Sequence, residues 1–342
     1  MNRVLGLTLV ALVMSGAATA QSTAGAAPAL SAPAVSRQPP QTSPAEKARN
    51  DAAYAAYLKA PDTEGTGPYP AMKEEDSSLP DHVVYRPKDL NKIGKGQLGL
   101  IGWGNGACSA DGAGARFELA EIASHGYIVV APGGIHSGPE STPLPPPGGQ
   151  KFHMATSAED VKAGIDWALA QNARTASPYF DKIDPAKIGV AGFSCGGVHA
   201  LVLAGDPRVK TIIMQNSGMF PDDSKMGAAL LGGLKLNKAT LETLRIPVLY
   251  ILGGPTDIAY ENGMDDFRRI HQVPVMVVVN NAGHGGDFIK PNGGASAFAA
   301  VNWFDWQLRG DKQAERYFVG PDCGICVDRE WKVERKNFPA GQ

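Results

Sequence analysis

The sequence predicts an α/β fold: a mainly parallel, twisted sheet with helices on both faces. Three observations predict it. From about residue 80 onward, short apolar β-rich runs alternate with stretches of helical apolar spacing, the pattern of parallel strands joined by crossover helices. Gly192-Phe193-Ser194-Cys195-Gly196 places a serine between glycines where one such strand gives way to a helix. Two later strands are each followed by a short turn that carries an ionisable residue, Asp257 in one and His284 in the other.

Residues 1–20 have the form of a secretory signal, with Arg3 before the apolar run Val4 to Met14 and the small-residue cleavage pattern Ala18-Thr19-Ala20. That run is short for a membrane anchor, and no later run reaches the roughly 18 apolar residues of a spanning helix. The expectation is a secreted or periplasmic chain without a membrane span. Residues 21–60 are rich in Ala, Pro, Ser and Gln and poor in large apolar side chains, the composition of a linker or loosely ordered arm. The folded domain is expected over residues 61–320. Residues 321–342 form a C-terminal tail that holds Cys323-Gly324-Ile325-Cys326.

Within the domain the expected strands are His82 to Tyr85, Leu98 to Gly102, Tyr127 to Ala131, Lys187 to Ala191, Val209 to Gln215, Pro247 to Leu252 and Pro274 to Asn280. Helices are expected at Gly112 to Ser124, Ser157 to Gln171, Cys195 to Ala204, Asn262 to His271 and Ser296 to Leu308, with Ser157 and Asp160 as an N-terminal cap. Gly218 to Arg245 is ambiguous but too short for a large lid domain. This segment and the proline-rich Thr142 to Gly149, which follows a strand, are candidate specificity loops. With 342 residues, 43% of them hydrophobic, the chain can bury a large core. A net charge of -2 without a Lys/Arg cluster argues against nucleic acid as a partner.

A bare G-x-S-x-G arises by chance roughly a quarter of the time in a chain this rich in glycine, so its surroundings decide its meaning. A serine hydroxyl attacks only when a base takes its proton, and the base needs an orienting acid. His284 in Asn281-Ala282-Gly283-His284-Gly285-Gly286 is the candidate base, and Asp257 in Gly253-Gly254-Pro255-Thr256-Asp257 the candidate acid. Each of the three lies beyond the C-terminal end of a separate strand. His136 is the alternative base, Asp222, Asp223, Asp265 and Asp266 are alternative acids, and His199 is a candidate neighbour of the site. His82, His125, His153 and His271 have no surrounding turn of small residues and read as surface or core groups. Acyl transfer also needs N–H donors aimed at the developing oxyanion. The backbone N–H of Cys195 is the first candidate. The second is Asn105, then Gly106, in the Gly102-Trp103-Gly104-Asn105-Gly106-Ala107-Cys108 loop. Trp103, Gly106 and His136 are candidate pocket-lining residues. No metal or other cofactor is called for by this chemistry.

The strand, the Trp103-Gly104-Asn105-Gly106 loop, Gly192-Phe193-Ser194-Cys195-Gly196-Gly197, Asp257, His284 and the closing Trp306-Gln307-Leu308-Arg309-Gly310-Asp311 together resemble the α/β-hydrolase superfamily. The resemblance is to its dienelactone-hydrolase and cutinase-like polyesterase (PET hydrolase-like) branch and covers most of residues 66–320. It implies esterase or lipase chemistry on a small-molecule or polymeric ester. Two departures stand out: serine replaces the cysteine nucleophile of dienelactone hydrolases, and Trp103-Gly104 replaces the His-Gly of many esterase oxyanion loops. A peptidase, an acyltransferase or a noncatalytic binding protein are the alternatives on the same framework.

Four cysteines in an exported chain favour disulfides. Cys323 and Cys326 are expected to pair locally, since a zinc site lacks a histidine beyond His284 and a redox site lacks the thioredoxin-like context. Cys108 and Cys195 are either a bridge that ties the oxyanion loop to the serine turn or two buried thiols.

Overall fold

The computed structural model describes residues 43–139, 141–144, 154–230 and 236–338. The signal-like segment, residues 21–42, His153 and residues 145–149 of the proline-rich loop lie outside the described residues. In chain order the elements are α1 (Pro44–Lys59), β1 (Ala71–Glu74), β2 (His82–Pro87), β3 (Leu98–Gly104), α2 (Arg116–Ser124), β4 (Tyr127–Pro132), α3 (Ala158–Ala173), β5 (Ile183–Phe193) and α4 (Cys195–Leu203). They continue with β6 (Val209–Gln215), α5 (Lys225–Leu230), β7 (Val248–Leu252), α6 (Tyr260–Arg269), β8 (Val275–Val279), α7 (Gly294–Arg309), α8 (Lys312–Phe318), α9 (Gly324–Val327) and β9 (Lys332–Lys336).

The strands form one sheet in the order β1-β2-β4-β3-β5-β6-β7-β8-β9. From β4 through β8 every neighbouring pair is parallel, while β1, β2 and β9 pair antiparallel at the two sides. Every residue of β3, β4, β7 and β8 is buried, as expected for strands covered on both faces. One face packs Val161 and Ile165 of α3, Leu201 of α4 and Phe267 of α6 over Leu100, Val190 and Ile212. The other packs Leu119 of α2 and Trp303 and Phe304 of α7 over Ile101, Ala191 and Ile213. The chain turns back from β3 to β4 and then crosses to β5 on the other side of β3. This reversal opens a crevice at the C-terminal ends of β3 and β5, where open α/β sheets hold ligands.

Local signals set the element ends. Ser157 and Asp160 form the expected capping box at α3. Gly310, left-handed at φ 69°, stops α7, a conformation that glycine adopts without a Cβ clash.

Two segments differ from the sequence expectation. Within the stretch read as a linker, residues 44–59 form α1, because Tyr57 seats the helix on α2. The Tyr57 hydroxyl donates to Gly114 O at 3.0 Å, and the Arg116 guanidinium lies 4.0 Å over its ring while donating to Ala60 O at 2.7 Å. One aromatic anchor on a buried arginine is invisible to composition. Within the tail, Lys332–Lys336 add β9 beside β8. Its Lys-Val-Glu-Arg-Lys sequence carries no apolar alternation, since the strand is held by ladder bonds and by Arg335 donating to Phe318 O at 2.6 Å. Charged side chains on such an edge oppose pairing with another chain.

Candidate active site

Ser194 stands between the last residue of β5 and the first of α4, at φ 51° and ψ -117°. A residue with a Cβ is strained there by about 1–3 kcal/mol, so its surroundings must fix it. The Ser194 N–H donates to Gln215 O at 2.9 Å, and its carbonyl accepts from Gly197 N–H at 3.0 Å and from the Ser217 hydroxyl at 2.7 Å. The glycines act by contact between backbones. A Cβ on Gly192 would lie 2.1 Å from Gly196 O, and one on Gly196 would lie 2.0 Å from the Gly104 carbonyl. The ends of β3 and β5 and the start of α4 therefore touch with no room for side chains.

His284 brings Nε2 to 3.1 Å from the Ser194 hydroxyl oxygen and Nδ1 to 2.6 Å from Asp257 Oδ1. The Asp257 side chain is fully buried, while that of His284 is 28% exposed, so the imidazole faces the cavity and the carboxylate does not. Asp257 accepts three further bonds: Ala259 N–H at 2.8 Å, Asn216 Nδ2 at 3.0 Å and Gly253 N–H at 3.2 Å. The loops after β7 and β8 are joined directly, with Gly283 N–H donating to Gly253 O at 2.8 Å. A Cβ on Gly253 would fall 2.0 Å from Gly283 O.

The alternative residues lie elsewhere. The His136 Nδ1 is 2.8 Å from Thr142 O, and His136 is absent from the lining of the Ser194 cavity, unlike Trp103 and Gly106, which share it. Asp265 and Asp266 bond the Lys238 ammonium at 2.9 and 2.5 Å, Asp222 accepts from Lys238 N–H at 2.8 Å, and Asp223 is exposed.

Sequence reasoning missed Gln215-Asn216-Ser217, which run from the last residue of β6 into the loop beyond it on the same sheet edge. All three hold the site: Gln215 O and the Ser217 hydroxyl bond the Ser194 backbone, and Asn216 Nδ2 donates to both Asp257 and Gly283 O, the latter at 2.8 Å. A polar triplet at the C-terminal end of a mostly buried strand was the available signal. Gln215 also reaches inward to Glu118, whose carboxyl is pushed up to about 8 by burial.

The loop after β3 is strained where the sequence suggested backbone freedom. Ala107 and Cys108 both have positive φ, at 53° and 47°. Asn105 is buried, with its side-chain amide donating to Ser109 O at 2.9 Å and Pro132 O at 2.6 Å, and its backbone nitrogen lies beside Gly196. Cys108 and Cys195 are disulfide-bonded with their Cα atoms 5.4 Å apart, and Cys323 and Cys326 form a second bridge. His199, on α4, is 2% exposed, with Nε2 3.2 Å from Cys108 Sγ and, among the described residues, no hydrogen-bond partner for Nδ1. Burial pushes its pKa down to about 4.

Above Ser194 lies an open cavity of about 1560 Å³. Its walls are largely apolar, with Tyr54 of α1, Phe193, Phe220, Ile258 and Phe288 among them, while Arg49 and Lys225 supply cations. Thr142 to Leu144 are absent from that lining. Among the described residues no helix is long and apolar enough to cross a membrane. No family model and no curated protein matches this chain.

Proposed function

We propose that the chain is an exported serine hydrolase of carboxylic esters, built on the α/β-hydrolase fold. The observation that carries this reading is the aligned series Ser194 Oγ, His284 Nε2 and Asp257 Oδ1, with steps of 3.1 and 2.6 Å, at the mouth of a large apolar cavity. Ser194 Oγ attacks the ester carbonyl as its proton passes to His284 Nε2, and Asp257 holds the imidazole and stabilises its positive charge. The tetrahedral oxyanion takes hydrogen bonds from the N–H groups of Cys195 and Asn105, each such donor contributing about 3 kcal/mol. The alcohol leaves with the proton from Nε2. Water, deprotonated by the same nitrogen, then releases the acid from the acyl-enzyme. The signal-like first twenty residues and two disulfides support export.

The test is a panel of p-nitrophenyl esters, polyesters and aminoacyl amides offered to the wild type and Ser194→Ala. Ester turnover that the substitution abolishes supports the reading. Preference for amides favours a peptidase, and no turnover of any substrate by the folded wild type favours a binding protein.

A further inference from the structure

We propose that reduction of the Cys108–Cys195 bridge converts it, with His199, into a three-ligand site for a thiophilic divalent cation such as zinc. The ligand atoms of these three residues all lie within 4.8 Å of one another. Two thiolates and one imidazole are a donor set suited to tetrahedral zinc, with the fourth position left to water. His199 is 2% exposed, its Nε2 faces Cys108 Sγ at 3.2 Å, and among the described residues its Nδ1 has no hydrogen-bond partner.

Backbone contacts other than the sulfur–sulfur bond hold both cysteines. Cys108 is held through its carbonyl, which accepts from Ala155 N–H at 2.9 Å and Thr156 N–H at 3.0 Å. Cys195 is held by the backbone contact of its neighbour Gly196 with Gly104. Opening the bridge therefore leaves both cysteine backbones in place, with their side chains within reach of the imidazole. Reduction by a dithiol delivers two electrons and two protons, giving two cysteine thiols and the oxidised dithiol. Metal binding then releases the two thiol protons. Cys195 and His199 both line the Ser194 cavity.

Cobalt(II) serves as the spectroscopic probe. The Cys323→Ser/Cys326→Ser chain, which keeps only the first bridge, is reduced with dithiothreitol, freed of it under nitrogen and titrated with cobalt. The expected result is one cobalt per chain with a thiolate-to-cobalt charge-transfer band, no band for the oxidised chain, and affinity at least about tenfold weaker in His199→Ala. No band in the reduced chain, or one that His199→Ala leaves unchanged, overturns the proposal. Should the double variant not fold, the same titration of the natural sequence and of Cys108→Ser decides: the Cys108 site is lost in the variant, and an unchanged spectrum overturns it. Because the readout is metal binding, it is independent of ester turnover.

Discussion

Asn216 donates from Nδ2 to Asp257 Oδ2 at 3.0 Å, the carboxylate oxygen opposite the one that meets His284. The same nitrogen reaches Gly283 O at 2.8 Å, one residue before His284, so a single amide fixes the Asp257 carboxylate and the turn that presents His284. Asn216 holds φ 44°, tolerated by asparagine better than by most residues.

Removing that amide should loosen geometry and leave the cavity intact. Asn216→Ala is expected to lower kcat by about 10- to 100-fold with KM little changed, the usual scale for a misplaced reacting group. Steady-state kinetics on one ester checks this, and a wild-type kcat would remove Asn216 from the account.

The strain at Ser194 predicts opposite effects on stability and turnover. Ser194→Gly relieves a positive φ and should raise unfolding free energy by about 1 kcal/mol while abolishing turnover. Urea denaturation of both chains measures the first effect, and a variant less stable than the wild type would count against a strained turn.

Gly196 has a steric role that alanine cannot fill, because its Cβ would lie 2.0 Å from the Gly104 carbonyl. Gly196→Ala should cost about 1–3 kcal/mol as α4 moves from β3. The expected signature is a lower Tm together with loss of turnover, since the Cys195 N–H moves with the helix. An unchanged Tm contradicts the contact.

Glu118 sets a pH dependence of stability. Its carboxyl, raised by burial from 4.5 to about 8, keeps a proton in the folded chain that the unfolded chain releases above its ordinary value. The stability tied to that proton is therefore complete below about pH 4.5 and is lost as pH rises through about 8. Glu118→Gln, which keeps the partner Gln215 within reach of an amide, should flatten this component. Urea midpoints at about pH 5 and about pH 8 should converge in the variant relative to the wild type, and parallel declines would contradict the assignment.

The central strands, the Ser157 cap and the positions of Ser194, Asp257 and His284 were legible because each rests on a local pattern. Apolar runs, a capping pair and glycines around a polar residue are all written within a few positions. Tyr57 seating α1 and Lys332–Lys336 pairing with β8 were not legible, since their order comes from distant partners rather than from their own composition. Asn216 escaped for a related reason: its partners Asp257 and Gly283 lie 41 and 67 positions away. The Cys108–Cys195 bridge was open from sequence and is formed, because two chain segments already forced together by Gly104 and Gly196 carry the cysteines.

The central claim, that Ser194 is an activated nucleophile served by His284, is tested most directly with a fluorophosphonate and intact-mass spectrometry. A single adduct should form on Ser194, be absent from Ser194→Ala and form far more slowly in His284→Ala. A folded wild-type chain that takes up no label, or that is labelled at another residue, would contradict it.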